Sequence, residues 1–403
     1  MTDYVKHLPT SAIPQGPVAA WGADNAQRWL RARVPAVFAP AAGGRLFTGP
    51  VLLAVALTAE SAGGWRGFAA IALLAALPFW FRYMPVATLL AAPALAAEAV
   101  LAFPGSPDRA GRTGHGLVAA VAAWAFTGAV LRLRARHRQR ELAVAAAGSA
   151  RFPVPAVLPA AHLRRGRPGI VLGSVCCLAA AGALAHPYGP FGGRLFATLL
   201  LVAGTTALGR NLARRRAARR LRGRPQPVLL VGVRASASGH HWLCPDADTP
   251  TAPPLIAAFP RAGDTAAGRR ILLARSEPSL RADHHDIDPR REPFQAVLYG
   301  AVYEGAEVLL ESAVYDQDVR LVSAVTAAPL LPRRRHGLRE WKPAGRSYRE
   351  SVREQARRDE ERRRDRERAR AQSRSSDSST GGGCGGGCGG GCGGGCGGCG
   401  GCG

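Results

Sequence analysis

Residues 195–224 read LFATLLLVAGTTALGRNLARRRAARRLRGR. No charged residue occurs from 195 to 209, and eight arginines follow between 210 and 224. An apolar run that ends on an arginine block marks a helix leaving a bilayer on its cytoplasmic side, because positively charged loops are retained inside. The stretch therefore speaks to both the fold class and the direction of the chain.

The same alternation extends back to Leu46. Apolar segments occupy 46–60, 66–81, 84–103, 115–131 and 169–186, with 195–209 the last. A spanning helix needs about 20 residues, or about 17 at the short end. Six spans are expected, with four as the alternative, because the first two segments are short and the joint from Glu60 to Arg66 is tight. The segment 132–167 holds nine arginines and the turn 186–194 holds one. That asymmetry puts the N-terminus, the 132–167 loop and everything after Arg210 in the cytoplasm. The chain then divides into a cytoplasmic N-terminal segment (1–45) and a multi-pass transmembrane domain (46–224) carrying the basic loop 132–167. A cytoplasmic β-domain (225–332), a charged helix with its linker (333–380) and a disordered Gly/Cys tail (381–403) follow.

An apolar content of 47% coexists with a net charge of +25 because the charge is segregated into clusters. All the basic residues other than histidine are arginine except Lys6 and Lys342. A strongly basic chain suggests nucleic acid or an anionic membrane surface. Here the arginines gather at the ends of apolar segments, where anionic lipid is the natural partner. Aromatic residues are not interleaved with them, so the stacking platform of a nucleic-acid binder is missing. A cytoplasmic protein is the other partner expected. No signal peptide precedes Leu46, so the first span itself is expected to direct insertion into a bacterial-type plasma membrane.

The stretch ADNAQRWLRAR (23–33) suits an amphipathic helix on the membrane surface with Trp29 and Leu30 in lipid, or else a disordered leader. Ala87, Ala91 and Ala94, and likewise Ala119 and Ala123, recur at helical spacing as contacts for close helix packing. Pro78, Pro85 and Pro93 are expected to kink the second and third helices. Beyond 226 the period changes. Strands are expected at 227–235, 255–259, 270–274, 294–303, 307–313 and 319–325, with Tyr303-Glu304-Gly305-Ala306 as a hairpin turn. Together they imply a small all-β barrel or sandwich of roughly five to seven strands. From 333 to 374 the chain is nearly all charge, with acids three or four residues ahead of arginines, which supports a solvated single helix.

The tail places Cys384, Cys388, Cys392 and Cys396 every four residues, then Cys399 and Cys402 at three. Thiolates in a reducing cytoplasm suit Zn or Cu(I); the other readings are a simple-repeat expansion and an interaction tag. A second metal candidate joins His240, His241 and Cys244 in one loop with His284, His285 and Asp286 in another. His285-Asp286 matches the HD phosphohydrolase dipeptide but lacks that family's further ligands in helices. Glu98 is the intramembrane polar candidate, placed about 7–8 Å from its helix end. No P-loop lysine, G-x-S-x-G, H-E-x-x-H or Rossmann fingerprint is present, so no enzyme is expected and no catalytic residue is assigned.

The apolar spans followed by a Gly/Cys tail resemble uncharacterised multi-pass membrane proteins of high-GC actinobacteria with such tails. The resemblance covers the tail and the broad architecture and implies no site. The function expected is a non-enzymatic scaffold or regulatory anchor presenting the β-domain and tail. The alternative is a transporter or channel-like component handling a soft metal ion, with the cysteine tail as its tether.

Overall fold

Apolar side chains that never find a protein partner separate the two halves of the chain. In the computed structural model, residues 7–58, 64–105, 108–185, 191–235, 240–248, 253–261, 263–274, 294–315, 320–332 and 357–368 are described. A short strand β1 (Ala19–Ala20) and helix α1 (Ala23–Arg31) precede the apolar helices α2 (Pro40–Thr58), α3 (Gly64–Tyr83), α4 (Pro85–Ala102) and α5 (Arg109–Ala146). A single turn, α6 (Ala160–Leu163), leads into α7 (Arg167–Ala185) and α8 (Phe191–Arg222). Four helices are long and apolar enough to cross a membrane, and two shorter apolar helices cover Leu46–Thr58 and Gly67–Tyr83. All six show large apolar side chains outward, among them Leu52 at 64% exposure, Leu90 at 75%, Leu178 at 73% and Phe196 at 67%. In water such a belt is unfavourable; in hydrocarbon it is the expected surface.

Inside the belt, α2 to α5 bury a core of Phe47, Leu74, Leu77, Phe81, Leu95 and Ala125. Small residues bring the helices together, and the alanine spacing is met in part: Ala91 is buried and Ala119 packs against this core. Ala123 and Ala94 point outward, while Ala91, Ala92 and Ala99 on α4 meet Val118, Ala122 and Ala125 on α5. Within α2 to α5, Gly128 is the tightest described glycine contact: a Cβ there would lie 2.6 Å from the Phe81 ring and 2.9 Å from Phe38. Pro78 and Pro93 fall within helices, whereas Pro85 opens α4 at its first turn, where a missing N–H costs nothing.

The region 132–167, read as a loop, is helical through Ala146. At 38 residues α5 is about 57 Å long, nearly twice the hydrocarbon thickness. Its far end, Leu142, Ala143 and Ala146, is buried in a different core, that of the β-domain. The arginines beyond 210 likewise ride on the last turns of α8.

The β-domain holds β2 (Val228–Ala235), β3 (His241–Cys244), β4 (Ile256–Ala258), β5 (Thr265–Ala274), β6 (Phe294–Tyr299), β7 (Glu307–Tyr315) and β8 (Arg320–Pro329). They form one sheet in the order β4-β3-β2-β6-β7-β8-β5, antiparallel throughout, with β1 added parallel to β2. The sheet curls until Ala258 of β4 bridges Leu330 just past β8, and Leu331 N–H donates to Ala257 O at 2.8 Å. The β6–β7 hairpin turns where 303–306 predicts. Its interior is Leu229, Val231, Leu243, Leu298, Val308, Leu309 and Leu321, all nearly inaccessible. Sequence reading missed β1 and β3, and β3 occupies the presumed His/Cys loop.

The helix at 23–31 forms, but it does not lie in lipid. Trp29 is fully buried against α5 and the β-domain, with its indole N–H donating to Val302 O at 2.8 Å. The N-terminal segment is thereby part of the β-domain's core. A separate unit, residues 346–403, contains a described helix at 357–368. Among its described ion pairs are Arg364–Glu360, Arg357–Glu361 and Arg363–Glu367. Of these three the first follows the expected acid-first order, while Glu361 turns back to Arg357 rather than forward to Arg364.

Candidate functional site

The site grows from a stripe on α5. Arg132, Arg136, Gln139 and Arg140 recur at helical spacing, just where α5 leaves the helical core for the β-domain. Arg132 has no exposed surface. Its guanidinium donates to Phe81 O, to Arg82 O at 3.3 Å and to Glu304 Oε1 at 3.0 Å. The two carbonyls belong to the last turn of α3, whose final C=O groups lack partners within the helix. Arg132 thus closes α3 with one part of its fork and holds the β6–β7 turn with another.

Glu304 is the acceptor from the other side. Besides Arg132 it takes Arg136 Nη2 at 3.3 Å, while its backbone N–H donates to Gln139 Oε1 at 3.0 Å. Gln139 in turn donates to Ala32 O at 2.8 Å, tying in the end of α1. The hairpin turn, the end of α3 through Arg132 and the end of α1 through Gln139 therefore meet at Glu304. Two atoms stay without a partner: the Nε groups of Arg132 and Arg136 are both buried and unbonded.

A second buried cluster fixes the chain ahead of α7. Arg165 donates through Nε to Glu307 Oε1 at 2.6 Å and through Nη1 to both Asp264 oxygens, at 3.0 and 3.1 Å. His162 Nδ1 lies 3.0 Å from the same Glu307 oxygen. Gly166, at φ +79°, completes the turn; a Cβ there would sit 2.4 Å from Asn211 O on α8. Burial alone would raise the Glu307 carboxyl, but His162 and Arg165 outweigh it and hold it below the ordinary range. For Arg165, burial would lower the guanidinium, and Glu307 and Asp264 reverse that.

Between these clusters opens a cleft of about 1060 Å³. Its walls are the arginine-bearing C-terminal parts of α5 and α8, its floor the 300–305 turn, and its apolar lip Tyr83 to Ala87 at the start of α4. Arg136, Arg140, Arg151, Arg216, Arg220 and Arg224 line it. Its two carboxylates, Glu304 and Glu307, are already bound as above. Among the described residues no carboxylate pairs with Arg140, Arg216, Arg220 or Arg224. The cleft therefore carries a strong uncompensated positive potential.

A smaller cavity of about 390 Å³ lies in the β-domain under the segment 152–157. There Tyr299 Oη donates to Glu311 Oε2 at 2.7 Å. Burial raises both groups above their ordinary values.

The sequence candidates lie elsewhere. Glu98 is half-buried one turn from the end of α4 and lines neither cavity. His241 and Cys244 sit three apart on β3, hence on opposite faces of the sheet. Cys244 is fully buried, and burial pushes its thiol up to about 11. Burial lowers His241, and the His240 ring packs at a tilt against Phe259, with centroids 5.0 Å apart. His284, His285, Asp286 and the tail cysteines Cys384, Cys388, Cys392, Cys396, Cys399 and Cys402 lie outside the described residues. Among those described, no group of three or more His, Cys, Asp or Glu is arranged to hold a metal ion. Glu304 and Glu307 passed unnoticed as hairpin residues; their signal was two acids bracketing a glycine turn in an otherwise apolar hairpin.

No family model matches the chain, and no curated protein or solved structure matches it either.

Proposed function

We propose that this is a membrane-anchored, non-enzymatic scaffold or regulatory protein whose helices hold a cytoplasmic β-domain in a fixed position against the bilayer. The observation that carries this reading is the pair of buried ionic joints, Glu304 with Arg132 and Arg136, and Glu307 with Arg165. A β-domain tethered only for proximity needs a flexible linker; one that reports or transmits a position needs a rigid joint. The transporter alternative asks for a polar path through the helices, and Glu98 lies on neither described cavity.

Six spans with both ends cytoplasmic form part of the proposal. Its support is the agreement of helix ends. Gly114, near the start of α5, meets Leu57 and Thr58 at the end of α2, while Gly128 further along α5 meets Phe81 at the end of α3. Gly173 and Gly204 set α7 against α8 in the same alternating sense. Every arginine-rich end then falls on the side of the β-domain, the side that positive charge selects as cytoplasmic.

Limited proteolysis of membrane vesicles tests the rigid joint. In the native protein the β-domain stays bound and protected. In a Glu304→Ala/Glu307→Ala variant it is cut free while the helices remain in the membrane; equal protection in both would count against the scaffold. Metal analysis of reduced protein with and without residues 381–403 tests the rival, which needs stoichiometric zinc or copper that depends on the tail.

A further inference from the structure

The cleft at the joint has a chemistry that the scaffold reading does not use. Arg216, Arg220 and Arg224 fall at intervals of four along α8 and its end, and Arg136 and Arg140 do the same on α5. Two arginine stripes thus face each other across one cavity, with Arg151 at its rim. Several guanidinium groups gathered on one cleft suit a phosphate, since each planar fork offers paired N–H donors to its oxygens. The buried, unbonded Nε of Arg136 is a donor without an acceptor on that same lining. The N-terminus of α4, opened by Pro85, lies on the lip and adds the positive end of a helix dipole.

One wall of the lining, at the junction of α3 and α4, is apolar. Tyr83, Met84, Pro85, Val86 and Ala87 form it, and Val86 is 60% exposed. A free phosphate makes no use of this wall; an acyl chain does.

We propose that the cleft is a specific site for the phosphate headgroup of one anionic phospholipid, with its acyl chains leaving along the start of α4. The lipid bridges α5, α8 and the 300–305 turn, so its occupancy governs how firmly the β-domain sits on the helices. This inference rests on the membrane-anchored reading and adds a ligand to its joint.

The test uses the full-length protein in detergent, with native mass spectrometry reading the lipid retained. Phosphatidylglycerol, phosphatidylcholine and inorganic phosphate are the probes. The wild type is expected to keep about one phosphatidylglycerol in preference to phosphatidylcholine, and to raise its melting temperature on binding it. An Arg216→Gln/Arg220→Gln variant should bind it about tenfold or more weakly, each arginine near an anionic group being worth severalfold. Arg138→Gln/Arg219→Gln, which removes the same charge from exposed positions outside the cleft, should bind as the wild type does. All three proteins should melt alike in phosphatidylcholine, which separates lost binding from lost folding. Equal loss in both variants would reduce the effect to diffuse surface charge and overturn the site. So would equal retention of the two lipids, or inorganic phosphate alone reproducing the stabilisation at the same concentration. If the membrane reading itself fails, the protein fractionates as soluble without detergent, a result distinct from all of these.

Discussion

Arg132 has no exposed surface, which is tolerable because both terminal nitrogens of its fork donate to oxygens, leaving Nε alone unbonded. Removing one partner of such a buried pair leaves the other charge stranded. Glu304→Ala is therefore expected to cost about 3–5 kcal/mol, read as a fall in melting temperature in detergent. Arg132→Met/Glu304→Leu should lose much less, because neither charge then remains; a double variant as unstable as the single one would remove the ion pair from the account. Two of the buried glutamates of the hairpin, Glu307 and Glu311, respond to pH in opposite senses. Glu307 is held low, so its contribution is present above the unfolded value of about 4.3 and is lost as pH falls through its lower folded value. Glu311 is raised, so its contribution is full below that unfolded value and fades as pH rises through its higher folded value. In melting curves taken from pH 3 to 7, Glu307→Gln should flatten the acid limb and Glu311→Gln the limb above it. Unchanged limbs in both variants would show that the two carboxyls are not perturbed by folding.

At the scale of elements, α5 does the joining. It passes from a core of Phe and Ala in the helical half to one of Leu142 and Ala143 in the β-domain. Adding a methyl at Gly128, where Phe81 and Phe38 leave no room, is expected to destabilise by about 1–3 kcal/mol. Gly116→Ala, one face away with nothing within 4 Å, should be neutral or gain up to about 1 kcal/mol from helix propensity. Equal effects in thermal unfolding would contradict the helix contacts described. Trp29→Ala should cost about 3–5 kcal/mol as a core deletion; a merely lipid-resting tryptophan would leave unfolding unchanged. The apolar runs and the 303–306 turn were legible because their periods are local. The helical course of 132–146 was not, since its stripe of Leu142, Ala143 and Ala146 is diluted by arginines that face the cleft and solvent. Nor was β3, whose four residues acquire a strand's pattern only through pairing with β2 and β4.

For the molecule as a whole, the contrast between its two surfaces is the deciding feature. Among the described residues from 228 to 332, Ile271 is the one large apolar side chain that stands exposed, while the apolar helices carry a belt of them. The arginine clusters announced the bilayer in the sequence, but not the cleft: the residues that build it lie on α5 and α8, more than sixty positions apart, and only folding sets them face to face. Its carboxylates, Glu304 and Glu307, come from a hairpin further along the chain, well beyond α8. The central claim is that these helices span a membrane with the arginine-rich ends and the β-domain inside. It is tested by a membrane-impermeant maleimide on intact cells, using variants whose nine native cysteines are replaced and that carry one new cysteine at Gly105 or at Asp248. The account predicts that Gly105→Cys, in the exposed turn between α4 and α5, is labelled from outside, and that Asp248→Cys, on the surface of the β-domain, is labelled only after permeabilisation. Labelling of Asp248→Cys in intact cells, or silence at Gly105→Cys until the membrane is opened, would contradict it.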